Sequence, residues 1–96
     1  MTHAIVWAPQ ALEDIEAAFD YLMERNPEAA RRVCRDILYQ IEMLAKQPFS
    51  GRAGRVPGTR ELVVTSTLFI VPYRVHQERL EIIRFFHSAR QWPEEF

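Results

Sequence analysis

Cysteine occurs once in these 96 residues, at Cys34. No intrachain disulfide can form, and a reducing cytoplasm is the expected setting. No apolar run approaches the roughly 20 residues needed to cross a bilayer, so no membrane partner is expected. No basic segment followed by an apolar one opens the chain, so no signal peptide is expected. His3, His76 and Cys34 lie far apart in sequence, and no His/Cys cluster has metal-ligand spacing. There is no GxxxxGK[ST] phosphate loop and no internal repeat. No cofactor is called for.

What remains is an ordinary globular composition: 48% hydrophobic and 26% charged, sized for one domain over residues 1–96. The net charge of −1 conceals a division. Residues 1–47 carry five cations (Arg25, Arg31, Arg32, Arg35, Lys46) against eight acids, a net of −3. Residues 48–96 carry seven arginines against five acids, a net of +2. Guanidinium suits bidentate contact with phosphate or carboxylate. The excess is too small for a broad nucleic-acid surface and fits a local anionic partner.

Three β-type runs organise the second half: Arg60–Thr65, Leu68–Val75 and Arg79–Phe86, rich in Val, Ile, Phe and Tyr. Short polar breaks at 65–67 and 76–78 predict antiparallel hairpins. Pro72 cannot donate a ladder bond, which predicts a bulge or an unpaired position. Ahead of the runs, PFSGRAGRVPG (48–58) holds all three glycines and reads as the main loop. Ala4–Trp7 reads as a first strand at a sheet edge. Pro9 suits the first turn of a helix whose apolar stripe is Leu12, Ile15, Phe19, Leu22 and Met23. Asn26-Pro27 ends it and caps a second helix running to Lys46, with Ala30, Val33, Ile37, Ile41 and Leu44 as its stripe. The expected fold is α+β: a two-helix hairpin packed on a small antiparallel sheet of about four strands, in the order β-α-α-β-β-β. The tail SARQWPEEF reads as one helical turn or irregular chain, with Trp92 as an apolar anchor.

GRAGRVPGTRELVV, then FIVPYRV, then LEIIRFFHSARQWP, behind a helix hairpin, resemble the RelE/ParE superfamily of bacterial type II toxins over essentially the whole chain. The resemblance implies a toxin neutralised by a cognate antitoxin protein. It also implies one of two targets: DNA gyrase, as for ParE, or mRNA on the ribosome, as for RelE. Only the second makes the chain an enzyme. A third option is an inactive module member that keeps only its antitoxin-binding role.

Cleavage of RNA by 2′-OH attack needs a base, an acid and cations for the phosphorane. Arginine stays protonated, so His87 is the acid/base candidate, with Arg60, Arg74 and Arg90 as phosphate clamps and Glu61 as the nearest acidic base. The resemblance to RelE-like nucleases is incomplete: Ile70 stands where they carry an arginine, and their C-terminal tyrosine has no match. This favours the ParE-like branch, which needs a gripping surface and no catalyst. Candidates for target or antitoxin contact are Arg52, Arg55, Arg60, Arg74, Arg84 and Trp92. Plainer readings stand beside these. Arg60 and Glu61 can form a surface ion pair, Arg74 can be an outward solubilising residue, His87 a structural histidine and Cys34 a buried inert thiol.

Overall fold

The computed structural model describes residues 2–64, 67 and 69–87. Strand β1 (Ala4–Trp7) leads into helix α1 (Pro9–Arg25) and helix α2 (Pro27–Lys46). Then come β2 (Arg52–Ala53), β3 (Arg60–Val63), β4 (Phe69–His76), β5 (Arg79–Ile82) and β6 (Phe86–His87). The β-α-α-β-β-β order is therefore found, with two short additions: β2 inside the expected 48–58 loop and β6 at the end of the last expected strand. The helix break is chemical. Asn26 closes α1, its side chain accepts a hydrogen bond from Ala29 N at 3.1 Å, and Pro27 opens α2.

The sheet runs β1-β5-β4-β3-β2, with β6 pairing the start of β4. The hairpins β3–β4 and β4–β5 are antiparallel as expected. The expectation of a wholly antiparallel sheet is corrected at one edge, where β1 runs parallel to β5 and makes the sheet mixed. The helix hairpin, two long elements between β1 and the rest, carries the chain far enough for such a crossover.

Pro72 lies inside the central strand, opposite Glu61. Its carbonyl accepts from Ile83 N at 3.0 Å, but it has no N–H to return, and β5 ends at Ile82. The ladder resumes at β6 one residue out of step. Tyr73 faces Ile82, whereas Phe69 faces His87. One extra residue in the 83–85 segment accounts for the slip, which is the unpaired position proline required.

The helices cover one face of the sheet. Ile37, Ile41 and Leu44 of α2 and Ala11 of α1 pack with Val64, Val71, Tyr73, Leu80, Ile82 and Phe85. The second-helix stripe is as expected. The first departs from expectation at one position: Leu12 is exposed and Ala11 is buried instead, while Ile15, Phe19, Leu22 and Met23 are half-buried as expected and Ala18 joins Ile15 against the core. On the opposite face Val56, Ile70, Ile83 and Phe86 are also buried.

Candidate functional site

The 48–59 loop is held by three side chains from the strands beneath it. The Tyr73 hydroxyl, wholly buried, donates to Pro48 O at 2.7 Å and accepts from Gly51 N at 3.0 Å. Burial raises the Tyr73 phenol above its ordinary value, opposed by the hydrogen bond from Gly51 and the charge of Arg60. Arg60, directly opposite Tyr73, donates to Phe49 O at 3.1 Å and Gly51 O at 3.0 Å. Glu61 is 2% exposed. One of its oxygens accepts from Arg52 Nε at 2.9 Å and Nη2 at 2.8 Å, and the other from Arg55 N at 3.0 Å. A Cβ on Gly54 would sit 2.7 Å from Thr59 O, so the turn closes only with glycine there.

These contacts revise the sequence-based roles. Glu61 is a buried loop anchor paired with Arg52, rather than a surface partner of Arg60, and a carboxylate so fully engaged is a poor general base. Arg84 follows Leu80 and Ile82 on the helix-facing side and reaches α1. Its Nε and Nη2 meet the two Asp14 oxygens at 2.7 and 3.1 Å, and Phe85 N donates to the same carboxylate at 3.0 Å. The Asp14 hydrogen bond raises the Arg84 pKa further, outweighing desolvation. Arg84 therefore clasps helix to sheet, on the side that alternation from Leu80 and Ile82 gives it.

Among the described candidate catalytic residues, Arg60, Arg74 and His87 do not share a cleft. Arg60 lies on the helix-facing side with Tyr73, and Arg74, one residue along β4, lies on the other side. His87, opposite Phe69, is four residues from Tyr73 along β4, about 13 Å, and on the other flank of that strand. Ile70 is 5% exposed and packs at the register of Val63 and Phe86. Arg90 and Trp92 lie outside the described residues. Cys34 is half-buried on α2. Among the described residues, no group of three His, Cys, Asp or Glu side chains could hold a metal ion.

His87 instead borders an apolar groove of about 550 Å³ between the helix hairpin and the β4–β6 end of the sheet. Ala17, Ala18, Leu22, Val33, Phe69 and Phe85 form its walls, and Asp14, Tyr21, Thr67 and His87 its rim. Phe69 stacks on Phe85 at 4.6 Å and meets the His87 ring edge-on at 5.8 Å. The groove is walled by hydrocarbon, and its polar groups are confined to the rim.

A two-helix hairpin on a mixed sheet is the fold of solved toxin chains from type II toxin-antitoxin systems. The chain belongs to the family described as the ParE toxin of the type II toxin-antitoxin system parDE, which matches residues 5–92. Toxin Y4kP of Sinorhizobium fredii is 38% identical over 90 residues, covering 94% of this chain and 93% of that one. Toxin RelE2 of Caulobacter vibrioides is 34% identical over 86 residues, covering 90% and 96%. In a solved structure, a chain of the chromosomal ParDE system from P. aeruginosa superposes with a TM-score of 0.81. It is 27% identical, covering 92% of this chain and 98% of that one.

Proposed function

We propose that this toxin acts by binding DNA gyrase in the ParE manner, without catalysis, and that a cognate antitoxin silences it. The observation that carries this reading is the dispersal of the would-be nuclease site. Arg60 and Arg74 stand on opposite faces, His87 is remote from both, and Ile70 is a buried hydrocarbon. Phosphoryl transfer needs its acid, base and cations converged to within hydrogen-bond reach of one phosphate. The ParE family membership agrees with this reading. The apolar groove supports an antitoxin partner, since an amphipathic segment can seat its apolar face there. The solved ParDE relative is itself a toxin–antitoxin system.

One observation favours the alternative of ribosome-dependent mRNA cleavage: the relative at 34% identity bears the name RelE2. In that case His87, Arg60, Arg74 and Arg90 would form the site. Induction of His87→Ala in cells without antitoxin separates the two. The binding mechanism predicts growth arrest within about twofold of wild type and no new mRNA ends. Loss of toxicity together with loss of codon-positioned mRNA cuts would establish the nuclease instead.

A further inference from the structure

The sheet face away from the helices carries a row of cations that starts at Arg52, the partner of the loop anchor Glu61, and includes two arginines, Arg74 and Arg79, that neither the loop nor the helix clasp uses. Register fixes its members. Arg52 lies across Glu61 from Pro72. Two residues further along β4 comes Arg74, opposite Glu81, and then His76, opposite Arg79. Their neighbours Tyr73, Leu80 and Ile82 are wholly buried on the other face, so Arg52, Arg74, His76 and Arg79 all look away from the helices. Among the described residues, neither Arg74 nor Arg79 makes an ion pair. The two carboxylates on this face are already engaged: Glu61 is buried beneath Arg52, and Glu81 lies 3.1 Å from His76 Nε2. Diagonal neighbours across a strand pair stand about 7–8 Å apart, which sets the Arg74–Arg79 spacing. Arg52 lies about 12 Å from Arg74, two strands over and two residues along.

We propose that this row binds the phosphate backbone of duplex DNA. Three features choose that occupant. The cations are guanidinium groups, which match phosphate bidentately. The exposed apolar residues on this face, Val6 and Val63, stand toward its two edges, so the central anchor of a protein–protein contact is missing. Phe86 is the one described aromatic on this face and is 1% exposed, so nothing among the described residues stacks unpaired bases as single-strand binding requires. The charge is also segregated in the sequence: the cationic half of the chain builds this face, while the helix half is net negative. The contact is sequence-independent, because phosphates position a protein without specifying bases. The proposal stands apart from the gyrase reading. Inhibition of gyrase without duplex binding would remove the proposal and leave that reading intact, and duplex binding without gyrase inhibition would do the reverse.

The test is fluorescence anisotropy of a labelled 20-base-pair duplex titrated with refolded, antitoxin-free toxin at about 50 mM salt. Binding is expected in the micromolar range, with a log K against log salt slope near −3 for about three phosphate contacts. Arg74→Ala and Arg79→Ala should each weaken it about tenfold, and together bring the slope to about −1. Arg31→Ala/Arg35→Ala on α2, two exposed cations removed from another surface, should leave it unchanged. Retained α2-variant and lost strand-variant binding, with unaltered thermal melts, would bear the proposal out. Absence of wild-type binding, an equal loss in the α2 variant, or tighter binding to polyglutamate or to a single strand of equal length would overturn it.

Discussion

At the scale of single residues, the chain spends most of its conspicuous polar groups on its own loop. Tyr73 is the clearest case, because its hydroxyl joins a buried strand to two loop backbone groups, Pro48 O and Gly51 N. Tyr73→Phe leaves both unpaired and should cost about 1–2 kcal/mol, lowering Tm by roughly 5–15 °C in thermal melts. The same burial gives a pH dependence. The folded-state phenol titrates above 10.0, its unperturbed value, so the unfolded chain ionises first. The stability linked to this group is fully present below pH 10 and is lost as pH rises toward the folded pKa. Urea unfolding from pH 8 to 11 should show wild type losing ground above pH 10 relative to Tyr73→Phe. Parallel curves for the two proteins would contradict the assignment.

Among the elements, the register slip between β5 and β6 matters most. It brings Phe85 to the helix side beside Arg84, and in the clasp formed there Asp14 accepts three hydrogen bonds from residues 70 and 71 positions away. The side chains are 19% and 11% exposed, so removal of the carboxylate strands a mostly buried guanidinium and a backbone N–H. Asp14→Ala should destabilise by about 2–4 kcal/mol, read as a lower urea midpoint at unchanged slope. A change below about 0.5 kcal/mol would show the clasp to be incidental. This element also marks where sequence reading stopped. Helix limits, the Asn26-Pro27 break and the β3–β4–β5 hairpins were legible, because caps, periodicity and turn composition are local signals. The parallel pairing of β1, the exposure of Leu12 and the facing of Phe85 were not. Each depends on a contact between distant segments, and a one-residue slip reverses every facing beyond it. The same limit applied to the candidate site. Arg60, Arg74 and His87 are all on strands as expected, and only the register separates them.

For the whole molecule, the two faces have different characters. The helix side carries an apolar groove of about 550 Å³, and the far side carries guanidinium groups over a second buried layer. The direct test is supercoiling of relaxed plasmid by purified gyrase in the presence of increasing toxin, with His87→Ala run beside wild type. Both proteins should block supercoiling at similar concentrations, and the cognate antitoxin should restore it. Undiminished supercoiling at saturating toxin, alongside cleavage of ribosome-bound mRNA by the same preparation, would contradict the account.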